Sequence, residues 1–475
     1  MKNTILIWAL LVTVLTNAQK KKWTLKECVN HAIENNISVK ESKLDLKQNK
    51  INKKDAIGDF LPTLNSTNSH SWNIGLNQNI TTGLLENQTT QFTSLNLSSN
   101  ITIYNGLRNF NQLHRSNLSI LASQYKLENI KDDTSLLVVN SFLQVLFNKE
   151  QLKVFNAQLD LSKQELKRTT ELIKLGLLPK GEILELKANI ASQEQKVVDS
   201  KNTIFLSKVT LAQILLIDDY KNFDIINNED SLHSLTVLNK PPKEIIEKAK
   251  ETRYNLRIAE TNVKLAQYDL KLAKGALHPT LTGFYRYNTR ASYSDRVIGV
   301  NTILDGTNSP IGFVENTGEI VLTPNSIKTP ITRKPDPLFE QLSFNDGHSF
   351  GLSFQLPIFN GFSSRNKIKR NYINLERTKY QLKRINLELE AKVYQAINDT
   401  KGALKSYEAA LEVVESRKEA FKYSIERYKT GLINALDFSQ SQNKYEEAQN
   451  NYVRTKYDYI FKLKILEFYF GISLI

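Results

Sequence analysis

The stretch LSSNITIYNG at residues 97–106 returns as LSFQLPIFNG at residues 352–361. Two further pairs accompany it. Gly58 and Pro62-Thr63-Leu64 return as Gly275 and Pro279-Thr280-Leu281, and Leu175-Gly176-Leu177 returns as Thr430-Gly431-Leu432. The three pairs keep their order through nearly the whole chain of 475 residues. Their period is far longer than that of solenoid repeats, so one large structural unit is used twice about a pseudo-symmetry axis.

Around the quoted stretches the hydrophobic period is two. Phe350, Leu352, Phe354, Leu356 and Ile358 point one way; Ser349, Gly351, Ser353 and Gln355 point the other. Leu95, Leu97, Ile101 and Ile103 alternate with Asn96, Ser98, Asn100 and Thr102 in the matching segment. Such alternation marks a strand with one apolar and one polar face. Partner strands follow the two prolines. Leu281, Gly283, Tyr285 and Tyr287 oppose Thr280, Thr282 and Arg286, while Leu64 and Trp72 flank a mostly polar middle. The predicted strands are 62–74 and 92–104 in one half, 279–290 and 348–359 in the other.

Helices enclose the strands. One runs from Leu25 to Ile57 and another from Lys243 to Lys274, both ending at Gly plus Pro. Residues 108–174 and 365–429 then read as long helices. The second holds no Pro and only Gly402, and at ~1.5 Å per residue spans on the order of 95 Å. Leu375, Leu382, Leu389 and Ala396 fall seven apart, as do Tyr407, Val414, Phe421 and Tyr428. The longer step from Ala396 to Tyr407 is a stutter that locally unwinds a supercoil. After each Gly turn a return helix is predicted, over 182–217 and 437–470, so each half ends in an antiparallel coiled-coil hairpin. The domains are then repeat one at 19–217, a polar linker at 218–241, and repeat two at 242–475. An insertion at 291–347, with five prolines (Pro310, Pro324, Pro330, Pro335 and Pro337), breaks the duplication where repeat one has only about 75–91. That proline density opposes regular helix and predicts a long excursion at a hairpin tip, either an ordered cap or a mobile loop.

The first residues read as an export signal. Lys2 precedes an apolar run from Ile5 to Leu15, and Thr16-Asn17-Ala18 leads into the polar Gln19-Lys20-Lys21-Lys22. The signal peptide is 1–18, with cleavage after Ala18. No later segment approaches the ~18 apolar residues of a membrane helix. Cys28 is the only cysteine, so no intrachain disulfide forms, and its expected role is a small apolar residue on the first helix. The formal charge is +14, but Lys and Arg are interleaved with Glu along the helices, and no nucleic-acid reader motif accompanies them. The six histidines are scattered, without metal-ligand spacing. Phosphate-cradling loops and nucleophile elbows are missing too, so neither catalysis nor a cofactor is expected.

The strands carry the argument toward function. An apolar strand face must be buried in protein or lipid, and ten-residue alternating strands match tilted membrane strands. A barrel in lipid must close, and four strands per chain cannot close. Strands must be pooled between copies, two giving a narrow barrel and three a wider one. The competing reading is a soluble sandwich on a coiled coil.

Taken together, Gly58-x-x-x-Pro62-x-Leu64, Gly275-x-x-x-Pro279-x-Leu281, Ile103-Tyr104-Asn105-Gly106, Ile358-Phe359-Asn360-Gly361 and Arg427-Tyr428-Lys429-x-Gly431-Leu432-x-x-x-Leu436-Asp437 resemble the TolC-like outer-membrane efflux family. The resemblance covers essentially the mature chain. It implies an α+β membrane protein of the bacterial outer membrane extending into the periplasm. Four strands per protomer would enter the twelve-stranded β-barrel of a homotrimer set in outer-membrane lipid, with Phe350, Leu352, Phe354, Leu356 and Ile358 as the lipid-facing strand. Coiled-coil hairpins would form a periplasmic α-barrel closed at its tip. It further implies a periplasmic adaptor, touching Leu175, Gly176, Leu177, Thr430, Gly431 and Leu432, and an inner-membrane pump. Acidic side chains ring the closed tip in this family. Asp437 falls on the first such position; the second is Gln440 here, and repeat one offers Glu182 and Glu185. The alternative for these acids is a helix-dipole role in the first turn. The implied function is a passive exit duct of a tripartite export system. Alternatives are a type I protein-secretion duct or, from another class, an exported coiled-coil structural protein of the envelope.

Overall fold

The computed structural model describes residues 22–78, 85–226 and 237–472. The expected signal segment lies outside the described residues, as does His233. The chain divides into two compact units: Met1–Asn52, Arg115–Gln267 and Tyr372–Ile475 in one, Lys53–His114 and Tyr268–Asn371 in the other.

The first unit is helical. Strand β1 (Lys22–Trp23) leads to α1 (Leu25–Asn35), opened by a capping box in which Thr24 and Glu27 bond each other's backbone N–H. Helix α2 (Ile37–Gly58) follows. The sequence predicts one helix here, but the chain breaks at Asn36 (φ −53°, ψ 136°). The Asn36 side chain then accepts the Ser38 N–H at 2.9 Å and starts the new helix. Repeat two breaks at the matching residue, Arg253 (φ −75°, ψ 121°), between α5 (Pro242–Thr252) and α6 (Tyr254–Gly275). Its guanidinium lies 3.7 Å over the Phe468 ring and 3.5 Å from Asp132, so tertiary partners fix a break that neither Gly nor Pro announces.

The long helices are α3 (Arg108–Lys174) and α8 (Ser363–Lys429); the return helices are α4 (Glu182–Leu215) and α9 (Ala435–Phe470). The heptad reading of α8 holds: Leu375, Leu389, Ala396, Val414, Phe421 and Tyr428 are buried. Duplication extends into the cores. Cys28, Val29 and Ala32 pack with Val138 and Phe142; Ile245, Ile246 and Ala249 pack with Val393 and Ile397. Cys28 thus occupies the place of Ile245 and serves as a buried apolar residue. In the linker, β4 (Asp224–Ile225) pairs in parallel with β1. The Asp224 carboxylate bridges Lys149 and Lys208, each at 2.7 Å. Burial opposes its ionisation, but the two ammonium groups outweigh burial and hold its pKa at about 2.

The second unit holds a four-stranded antiparallel sheet in the order β2-β3-β5-β8: β2 (Thr63–Gln78), β3 (Leu85–Tyr104), β5 (Thr280–Ser292) and β8 (Gly347–Gln355). The register aligns Ser66, Leu97, Tyr287 and His348 across all four strands, and Leu64, Ser99, Tyr285 and Phe350 beside them. Strand β8 stops earlier than predicted. Leu356 and Ile358 lie outside it, because Pro357 has no N–H to give the ladder.

The insertion is neither a loop nor a compact cap. It forms a separate antiparallel hairpin of β6 (Arg296–Phe313) and β7 (Ile320–Arg333), followed by the short helix α7 (Leu338–Phe344). Pro310, Pro324 and Pro330 sit inside these strands. A two-stranded ribbon has two open edges, where a missing N–H costs no ladder bond. Gln341 ties α7 to β5 by exchanging bonds with the Ser292 backbone at 2.9 and 3.0 Å.

Candidate functional site

Two regions hold the residues singled out by the sequence. The first is the pair of helical turns. Helix α3 ends at Gly176 (φ 75°) and α8 at Gly431 (φ 77°), the left-handed conformation that favours glycine. Leu177 N–H donates to Leu172 O at 2.9 Å and Gly176 N–H to Ile173 O at 3.0 Å; Leu432 N–H donates to Arg427 O at 2.8 Å and Gly431 N–H to Tyr428 O at 3.1 Å. Each turn is a Schellman motif. The exposed Leu175, Leu177 and Leu432 project from the turns, and no atom of this chain lies within 4 Å of a side chain added at either glycine.

Repeat one caps both helix ends at the turn of repeat two. Arg168 donates to the Lys429 carbonyl at 2.9 Å, at the end of α8. Glu182 accepts the Ala435 N–H at 2.6 Å, at the start of α9. Both charges match the sign of the helix dipole they face. Glu182 lies in the first turn of α4 and also accepts from the first turn of the other repeat's helix α9. Glu185 is half-buried, whereas Asp437 and Gln440 are exposed. Asn434 caps α9 by accepting the Asp437 N–H at 2.8 Å.

Behind the turns, Tyr428 stacks on Phe438 at 4.8 Å and its hydroxyl meets Thr169 Oγ1 at 3.0 Å. Burial pushes the Tyr428 phenol above its ordinary pKa and keeps it neutral. A polar seam then joins the two hairpins. Buried Gln442 bonds Ser162 Oγ at 2.8 Å and Gln158 O at 3.1 Å, and accepts from Asn189 at 3.0 Å. Buried Glu446 is held by Lys196 at 2.6 Å and by Gln193. Sequence reading treats the hairpins as self-paired coils and misses this seam. The available signal is that Gln158, Ser162 and Glu165, like Asn189 and Gln193, recur at three- and four-residue spacing, where a coiled coil places apolar residues.

The second region is the sheet. Phe350, Leu352 and Phe354 lie on one face with 80, 67 and 66% of their surface exposed. Trp72, Ile74 and Leu76 of β2 share that face and are exposed as well. The opposite face is mostly polar, with Asn96, Ser98, Asn100, Arg286 and Asn288, and its two aromatic rings, Phe284 and Phe92, lie under Arg286 and Arg290. Among the described residues no helix is long and apolar enough to cross a membrane. No group of three His, Cys, Asp or Glu residues gathers as a metal site among them either.

Residues 28–215 and 245–471 match the outer membrane efflux protein family. The chain belongs to that family. It is therefore an efflux channel protein of the outer membrane, extending into the periplasm, and its family is one of channels rather than of enzymes. The solved structures agree on the fold. The outer membrane protein VceC of Vibrio cholerae superposes with a TM-score of 0.73 at 14% identity, over 95% of this chain and 97% of that one. The Campylobacter jejuni CmeC outer membrane channel gives 0.72 at 16% identity, over 94% and 85%. The Neisseria gonorrhoeae MtrE outer membrane channel, in its open state, gives 0.66 at 14% identity, over 95% and 89%. No curated protein matches the sequence. In this outer membrane efflux protein the matched segments leave out both ends of the chain and 216–244, which holds the whole inter-repeat linker, and they take in both turns, the seam and all four strands of the sheet.

Proposed function

We propose that three copies of this chain close one twelve-stranded barrel in the outer membrane and form a passive exit duct of a tripartite export system. A periplasmic adaptor and an inner-membrane pump would deliver its substrates. One observation carries this reading: a single sheet has two open edges and one exposed apolar face. Lipid tolerates neither an open edge nor an unsatisfied ladder, so strands from other copies must complete the sheet. Phe350, Leu352 and Phe354 then face lipid, and the polar face lines the lumen. The β6–β7 hairpin grows from the ends of β5 and β8 opposite those that join α6 and α8, and would belong at the extracellular mouth. Leu175, Gly176, Leu177, Thr430, Gly431 and Leu432 offer the adaptor an exposed apolar edge. Asp437, Gln440, Glu182 and Glu185 would recur around the closed tip.

The protein extracted from outer membranes in detergent should run as a heat-sensitive trimer. Reconstituted in a planar bilayer, it should be cation-selective and blocked by multivalent cations from the periplasmic side. Recovery as a water-soluble periplasmic monomer would defeat the channel reading. Unchanged block after Asp437→Ala with Glu182→Ala would remove these acids from the gate.

A further inference from the structure

The duplication leaves one joint made inside the chain and its counterpart unmade. At the exit of β3, Gly106 packs against the end of α6. A Cβ on Gly106 would strike the Gly275 carbonyl and lie 2.7 Å from His278 Cβ; one on Gly275 would lie 2.7 Å from both the Gly106 oxygen and Arg108 Cγ. This joint links the second strand of repeat one to the first helix of repeat two, and β3 pairs with β5 beside it.

Repeat two builds the same exit. Gly361 has φ 61° and Phe362 φ 64°, against 70° at Gly106 and 61° at Leu107. Asn360 accepts the Ser364 N–H at 3.4 Å, as Asn105 accepts the Asn109 N–H at 3.3 Å. Repeat one likewise builds the same helix end at Gly58. Yet a Cβ added to Gly58 or Gly361 finds nothing within 4 Å. The strands beside them, β2 and β8, are the open edges of the sheet. Two glycines whose equivalents lie backbone to backbone stand instead at an empty surface, next to unpaired strands.

We infer that Gly361 of one copy packs against Gly58 of the next, and that β8 pairs with the neighbour's β2 in the register of β3 with β5. The inference rests on the proposed multi-copy barrel and specifies its joint. Within the chain, Leu97 lies opposite Tyr287 and Ser98 opposite Arg286. Exchanging each residue for its counterpart in the other repeat sets Leu352 opposite His70 of the neighbouring copy, and Ser353 opposite Ser69. The occupant is a second copy, because the surface that already fills this joint once is carried by the chain itself. The Gly58 end also explains a glycine that its own chain does not require: its φ is not positive and its surroundings are open.

Register is read with paired cysteines in full-length protein carrying Cys28→Ala. Leu352→Cys with His70→Cys, and Ser353→Cys with Ser69→Cys, sample both kinds of cross-strand pair. At least one should give an oxidised inter-copy band in intact membranes. Leu352→Cys with Asn68→Cys or with Trp72→Cys should give little, since a two-residue slip moves the partner roughly 6–7 Å along the strand, outside disulfide reach. Dominant linkage in a slipped pair overturns the register. Gly58→Leu tests the glycine contact. Open space within the chain should leave its helix content unchanged by circular dichroism, while the oligomer is largely lost; full assembly of that variant overturns the contact. If the unsubstituted protein never forms an oligomer, the barrel reading itself fails. If the oligomer forms but both tests go against the joint, only this inference does.

Discussion

Repeats one and two share helix breaks, core positions, turn geometry and strand order, yet they differ where each meets other surfaces. In repeat one, Leu97 is half-buried between strands on both sides; its counterpart Leu352 is exposed on the edge strand. At the turns, Arg168 and Glu182 of repeat one cap helix ends of repeat two, and no reciprocal cap appears among the described contacts. The hairpin β6–β7 exists once. Duplication therefore supplies two similar frames, and the differences assign their tasks. Repeat two carries the exposed apolar edge strand β8 and the β6–β7 hairpin, while repeat one braces its helical turn.

The largest expected effect probes the exposed strand. Leu352→Arg with Phe354→Arg should cost a few kcal/mol per site near the bilayer midplane and abolish insertion. Arg in place of Ser99, the repeat-one counterpart of Phe354, should be milder because polar residues already occupy that position. Fractionation and heat-modifiable mobility measure both, and normal insertion of the double variant would break the contrast.

Glu446→Ala should come next. It strands Lys196 and Gln193 within the buried seam between the repeats, at a cost of about 3 kcal/mol in denaturant unfolding. Ser424→Ala, which loses hydroxyl contacts to Ser441 and the Ala420 carbonyl inside repeat two, should change stability far less. Equal losses would mean that the seam does not hold the repeats together.

Smaller again is the turn. Glu182→Ala removes the cap on Ala435 and should cost about 1 kcal/mol, with raised resting conductance. Asp437→Ala touches no repeat-one group and should barely alter stability. A reversed order would show that bracing does not run from repeat one to repeat two.

The smallest effect concerns the linker. The Asp224 pKa is held down, so its stabilisation is complete above the ordinary carboxylate pKa and fades as pH falls through about 2. Asp224→Asn should lose ~1 kcal/mol at neutral pH once solvent screening is allowed for, and the difference from the unsubstituted protein should vanish in strong acid. A constant difference across that range would remove the ion pairs as its source.

Much of this was legible in the chain. Hydrophobic period separated strands from coiled coil, Gly176 and Gly431 marked the turns, and α3 runs over the predicted residues, because these features depend on local backbone preference and on which side chains prefer water. Other features were not. Pro357 truncated a strand whose alternation continued past it. Asn36 broke one helix by accepting the Ser38 N–H, and Arg253 broke another against Phe468 and Asp132, far away in sequence. Glu182 offered an acid in a first turn, but its acceptor role depended on where Ala435 lay. Gln442 and Glu446 looked like solvated residues until another hairpin covered them.

By itself the sequence determined that the unit is doubled, that each half joins amphipathic strands to heptad helices, and that one strand face must leave water. These follow from periodicity, which every segment carries within itself. Only the tertiary structure decided that the insertion is a free-standing hairpin, that the two coiled coils share a buried polar seam, and that one glycine joint is filled while its twin stands open. Those outcomes depend on which surfaces meet, and contacts between residues hundreds of positions apart leave no period in the chain.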